Sequence, residues 1–242
     1  MHAAIGASAP AALVITGHVD PLQGAVMSAI SAGFSLLPDL DHPKATATKA
    51  LGMPAHLLAH ALCKAAVGAT ATGRDRGHIA WQQVQKRDPY HRTLTHTLAA
   101  AVLVGTLGFL SVLAGAVFTG MVASFGVFLL WPLRKRAIGP VVLAAAAAAV
   151  GAVFLLDPWL MALAVGGGYV SHLAADACTA AGVPALWPLA VRTTGANGVV
   201  RKKRWWNVRL LGGLVASGSR EEKGPAIGVA LAVNGVLLLL EL

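Results

Sequence analysis

No charged residue stands between Arg92 and Arg134, and a predominantly apolar stretch of that length has to be kept out of water. It is long enough for two helices of about 20 residues each, the length that crosses a bilayer. Ala137 to Leu156, Pro158 to Ala175 and Gly224 to Leu240 are further uncharged runs. Across 242 residues, 56% are hydrophobic and only 12% charged, a balance that excludes an ordinary soluble domain. The chain is therefore expected to be all-α: a polytopic helical membrane protein with about five to six membrane-embedded helices and a polar site on the cytoplasmic side. Spans are expected over 19–37, 94–113, 115–133, 138–156, 159–178 and 225–241. No Lys or Arg precedes the first apolar run, so no cleaved leader is expected.

The net charge of +9 is concentrated in Arg134-Lys135-Arg136 and in Arg201 to Arg204. Basic clusters beside spans mark the cytoplasmic face. Trp205 and Trp206 follow the second cluster, and tryptophan beside basic residues suits lipid headgroups, so the bilayer and not nucleic acid is the expected partner. Residues 1–191 are read as one membrane-bound domain, and 192–242 as a basic interfacial segment followed by a C-terminal hydrophobic helix. Cys63 and Cys178 form neither a disulfide framework nor a paired metal motif.

Polar residues that do not belong in such a chain carry its chemistry. His172, Asp176 and Thr179 stand at i, i+4 and i+7 within a run of Ala, Val, Leu and Gly, and so share one helical face. A carboxylate buried there needs a compensating partner. Asp39-Leu40-Asp41-His42 follows Pro38, where an extended backbone would point both carboxylates the same way. His91-Arg92-Thr93-Leu94-Thr95-His96 precedes the long apolar run. A five-residue spacing is about 140° around a helix, which puts His91 before the helix and His96 in its first turn. Two spans separate His96 from the Arg134 cluster and two more lead to Asp176, so span parity gathers all three motifs on one side.

Asp39, Asp41, His42, His91, His96, His172 and Asp176 are the candidate metal ligands. Mixed histidine and aspartate donors suit a divalent ion, zinc foremost, with manganese or iron as alternatives. Asp39 or Asp176 would act as general base, and Arg92 would hold either a phosphate or carboxylate of the substrate or a lipid headgroup. Thr95 and Ser171 read as supporting donors. His56 and His60 fit either a metal pair or the polar face of an interfacial helix. A metal transporter or sensor, or a membrane scaffold in which the same residues are structural, are the alternatives from other classes.

Leu36-Leu37-Pro38-Asp39-Leu40-Asp41-His42-Pro43, His91-Arg92-x-x-Thr95-His96 and Gly168-Tyr169-x-Ser171-His172-x-x-x-Asp176-x-x-Thr179-x-x-Gly182-Val183-Pro184-x-Leu186-Trp187-Pro188 together closely resemble the bacterial inner-membrane metal-dependent hydrolases, also labelled LexA-binding or LexA-regulated. The resemblance covers roughly Gly17 to Pro188. It implies a membrane-bound, helical, hydrolytic protein. The early Gly17-His18 resembles a family Gly-His and adds His18 to the candidate ligands. An ester or phosphoester, lipid-derived or a small molecule, is the expected substrate. The insert from Gly68 to Asp88 and the tail after Arg192 depart from the family pattern.

Overall fold

The computed structural model describes residues 2–42, 45–71, 92–131, 138–179, 181–189, 191–194, 200–203 and 206–210. Helices dominate: α1 (His2–Ile15), α2 (Pro21–Phe34), α3 (Thr46–Leu51), α4 (Met53–Ala71), α5 (Leu98–Leu113), α6 (Ala116–Phe128), α7 (Ile138–Leu155) and α8 (Pro158–Ala177). Short 3-10 turns occupy Pro38–Asp41 and Leu94–His96. A two-stranded antiparallel hairpin, β1 (Val191–Thr194) and β2 (Val200–Lys203), pairs Val191 with Lys203 and Thr194 with Val200. Beyond it Val208 pairs with Val183, returning the chain to the end of α8.

Local sequence sets the helix starts. Asp20 caps α2 by accepting from the Leu22 and Gln23 amides, while the Gln23 side chain accepts from the Asp20 amide. Pro21 and Pro158 take first-turn positions, where no N–H is needed. Thr97 caps α5 at Ala100, and Asp157 caps α8 at Leu160. Gln23 also donates from Nε2 to the Leu155 carbonyl at 3.0 Å, satisfying the end of α7.

The expectation of a polytopic protein with about five to six membrane-embedded helices is corrected here. Among the described residues no helix is long and apolar enough to cross a membrane. The expected span over 19–37 contains an α-helix of only 14 residues, and those over 94–113 and 115–133 contain helices of 16 and 13. At 1.5 Å per residue these rise about 20 to 24 Å, short of a hydrocarbon core of about 30 Å. Capping by Asp20, Thr97 and Gly115, and 3-10 turns at Pro38 and Leu94, use up residues that an unbroken apolar count assigns to spans. α8 has 20 residues, but its last two turns carry Ser171, His172 and Asp176. Without spans among the described residues, the parity argument for a cytoplasmic-side site has no basis. The expected span over 225–241 and the Arg134 to Arg136 cluster lie outside the described residues.

α2 is the central element, packed against α1, α6, α7 and α8, with α5 lying along α8 and α6 along α7. Met27, Ile30, Ala123, Ala152, Met161, Ala164 and Val165 form the main apolar core. Backbones meet closely where side chains are missing. A Cβ on Gly33 would lie 1.7 Å from the Gly126 carbonyl oxygen, fixing α2 against α6. One on Gly168 would lie 2.3 Å from the Ser31 oxygen, fixing α2 against α8. The outward faces of α5 to α8 remain apolar, with Leu103, Phe118, Leu143, Phe154 and Trp159 exposed.

Candidate metal centre

α2, α8 and the two 3-10 turns converge at one end of the bundle. Asp39 Oδ1 lies 3.3 Å from His172 Nε2 and 3.6 Å from His96 Nε2. Asp176 Oδ2 lies 3.5 Å from His172 Nε2 and 3.4 Å from His96 Nε2. These four residues could hold a metal ion, each offering one donor atom, with all four donors within 4.8 Å of one another. Donors at 2.0 to 2.1 Å around a tetrahedral ion are separated by roughly 3.3 Å. The four separations therefore match the edges of such a cage.

Hydrogen bonds on the far side of each imidazole turn Nε2 toward the centre. His172 Nδ1 donates to the Ser35 carbonyl at 2.7 Å, which fixes that proton because a carbonyl can only accept. Thr95 Oγ1 donates to Asp41 Oδ2 at 2.7 Å and so accepts from His96 Nδ1 at 3.0 Å. Both rings consequently carry their neutral-form proton on Nδ1, and Nε2 is the nitrogen with a lone pair to give. Ligating histidines are ordinarily held this way, by a carbonyl or a carboxylate behind the ring. The Tyr169 hydroxyl donates to the Thr95 carbonyl and fixes the turn that presents His96. His172 Nε2 and Asp176 Oδ2 are buried and accept or donate no hydrogen bond among the described residues. Buried polar atoms are nearly always satisfied, so these two point to an occupant.

Arg92 supplies the compensating charge for the α8 carboxylate. It donates from its two terminal nitrogens to Asp176 Oδ1 at 2.8 Å and to Thr179 Oγ1 at 2.6 Å. Its backbone φ of 61° lies in the left-handed region, a conformation that costs a non-glycine residue on the order of 1–3 kcal/mol and persists where the surroundings over-determine it. Expected to grip substrate, Arg92 spends one donor on Asp176 Oδ1, leaving Oδ2 to face the centre, and another on Thr179. Arg92→Ala should therefore weaken metal binding by about 10- to 100-fold, as loss of an outer-shell partner does, while circular dichroism stays unchanged.

The other candidates are placed differently. Asp41 is not in the group of four; its Oδ2 lies 3.6 Å from His96 Nδ1, behind the ring. The segment is a 3-10 turn started by Pro38 and not an extended strand, so Asp39 and Asp41 face opposite sides of His96. His96 precedes α5, ahead of its Thr97 cap, instead of lying in the first turn. His42 ends the 3-10 turn, where its carbonyl accepts from Thr48 Oγ1, and does not join the four donors. His18 is exposed in the turn between α1 and α2. The centre lies at the other end of that hairpin, about 21 Å away along a 14-residue helix. His56 and His60 are exposed on α4. His91 lies outside the described residues.

His2, which the sequence alone does not single out, also stands at the centre. Its ring stacks on His172, with centroids 4.1 Å apart and planes at 27°, and its Nε2 lies 3.9 Å from Asp176 Oδ1. The signal was a histidine at the head of the first apolar run, meaningful only once α1 and α2 are known to be a tight hairpin.

Charges in the centre oppose the cost of burial. Burial favours a neutral Asp39, but His172 and His96 beside it hold its carboxyl well below the usual range. Burial likewise opposes a charged His96, but Asp41, Asp176 and Asp39 hold its proton to well above the usual 6.5. An arriving ion must displace that proton, so uptake is expected to release protons near neutral pH. The sign for stability follows. His96 stabilises the ion-free protein in full below about 6.5 and loses that contribution as pH rises through its raised folded value. The increase in Tm on adding zinc should therefore grow between pH 6 and pH 9; an increase that shrinks over that range would contradict this arrangement.

The YdjM inner membrane protein family model matches residues 1–241, and the chain belongs to that family. No curated protein and no solved structure matches it. The match agrees with the inner-membrane resemblance carried by the three motifs.

Proposed function

We propose that the protein is a metal-dependent hydrolase of the inner membrane, acting on an ester or phosphoester. The observation that carries the reading is the inward convergence of Asp39, His96, His172 and Asp176, with His172 Nε2 and Asp176 Oδ2 buried and without hydrogen bonds. Two imidazoles and two carboxylates suit zinc, and manganese or iron also accept such donors. A divalent ion held there would supply Lewis acidity and make water nucleophilic near pH 7.

The chain's own residues divide the remaining work. Asp39 is the one donor with substantial exposure, its side chain 25% accessible, and it sits where a substrate would enter. It is the general base in this reading, taking the proton from the attacking water. Asp176 is tied to Arg92 and stays ionised, so its task is to hold charge and geometry. Asp41 and Thr95 keep the His96 ring oriented through the reaction. The family's inner-membrane label and the exposed apolar faces of α5 to α8 support contact with the bilayer, and hence a lipid-derived substrate.

The test is hydrolysis of a panel of lipid and soluble esters and phosphoesters by purified protein, before and after chelation and re-addition of zinc or manganese. Turnover lost on chelation, restored by metal and absent in Asp39→Asn is the expected result. Metal-loaded protein inert toward every class would remove the hydrolase reading.

A further inference from the structure

Two helices, α1 and α8, place side chains at this centre by one repeated device, a close approach to α2. Ser31 on α2 is touched from both sides by glycine: a Cβ on Gly6 would lie 2.7 Å from the Ser31 carbonyl oxygen, and one on Gly168 2.3 Å from it. His2 stands four residues before Gly6 on α1, and His172 four residues after Gly168 on α8. One helical turn separates each histidine from its contact point, so the two close approaches carry both rings to the same end of α2. Ser31 Oγ donates to the Gly6 carbonyl at 2.6 Å and Ser28 Oγ to Ala7 at 3.0 Å, which locks α1 in this register.

The His2 ring so delivered stacks on His172 but leaves a buried polar atom unused. Its Nδ1 is buried without a hydrogen-bond partner among the described residues, while Nε2 approaches Asp176 at 3.9 Å. Its side chain is only 19% exposed. A surface position would solvate an imidazole, and a packing position would favour an apolar residue. Stacking on His172 and the approach to Asp176 set the His2 ring against two of the four donor residues.

We propose that His2 is a further protein ligand of the centre, adding a third imidazole to His96 and His172. The inference rests on the metal-centre reading above and extends it. With His2 the chain would offer a bound ion five donors, three nitrogen and two oxygen, one more than a closed tetrahedral site uses. They also cover the face where α1 meets α8, leaving the side of Asp39 for substrate.

Cobalt(II) is the probe, because its visible bands are weak in five- or six-coordinate sites and strong in four-coordinate ones. Full-length protein tagged at its C-terminus is titrated with cobalt as wild type, His2→Ala and His2→Gln, with circular dichroism on each. Wild type should give weak bands. His2→Ala should bind with an affinity lower by more than the roughly 10- to 100-fold of an outer-shell loss, and give strong bands. Added imidazole should restore the wild-type spectrum in His2→Ala. His2→Gln, closer in size to histidine, should bind weakly while remaining folded. Wild-type spectrum and affinity in both variants would overturn the assignment of His2 and leave the four-residue centre standing. Failure of wild type itself to bind cobalt would overturn both.

Discussion

Asp176→Asn should sharply weaken metal binding in a protein that still folds. Asp176 serves two partners with two oxygens: Oδ1 accepts from Arg92, and Oδ2 faces His96 and His172. Asparagine has one oxygen and one NH2, so it can satisfy Arg92 or the centre, but not both. Asparagine can keep a hydrogen bond to Arg92 but not the compensating charge, so the ion-free variant should also melt at a lower temperature than wild type. Loss of one of four donors is expected to weaken zinc binding on the order of a thousandfold, about 4 kcal/mol. Isothermal titration of zinc into wild type and variant, with thermal melts of the ion-free proteins, measures both effects. Equal affinities would mean that Oδ2 is not a ligand.

The second large effect lies at Gly168. A Cβ there would meet the Ser31 carbonyl oxygen at 2.3 Å and the Ser31 Cα at 2.9 Å, both backbone atoms that cannot rotate away. Gly168→Ala must therefore push α2 from α8, at a cost of about 1–3 kcal/mol or more. The same movement pulls Ser35 from His172 Nδ1 and frees the ring. Lower Tm and weaker metal binding should appear together in this variant. Gly167→Ala is the control: a Cβ there meets nothing within 4 Å, and alanine in a helix interior is favoured over glycine by about 0.5–1 kcal/mol. If both variants melt alike, the close approach of the two helices does not position His172.

Much of the centre could be read from sequence because a buried charge in an apolar run demands explanation. His172 and Asp176 at i, i+4, Asp39 after Pro38, and His96 before a long apolar helix all signal chemistry by their cost, and the structure brings these four together. What sequence could not supply was direction within a turn. A two-residue spacing suggested that Asp39 and Asp41 act alike, but the 3-10 turn puts one in front of His96 and the other behind it. Arg92 read as a substrate contact because its partners, Asp176 and Thr179, are more than 80 positions away.

The spans misled for a different reason. Hydropathy counts apolar residues but not where a helix is capped, and Thr97, Gly115 and Asp157 divide the apolar run into helices with exposed outer faces and short lengths. His18 and His2 show the same limit. Both precede or sit within the first apolar segment, and only the α1–α2 hairpin decides which one faces His172.

X-ray absorption at the zinc edge of the zinc-loaded, full-length protein tests the central claim most directly. A centre built from Asp39, His96, His172 and Asp176 should give a shell of nitrogen and oxygen at about 2.0–2.1 Å with imidazole scattering beyond it and no sulfur, and lose that signal in Asp176→Asn. A sulfur shell near 2.3 Å, or a zinc signal unchanged in Asp176→Asn, would contradict it.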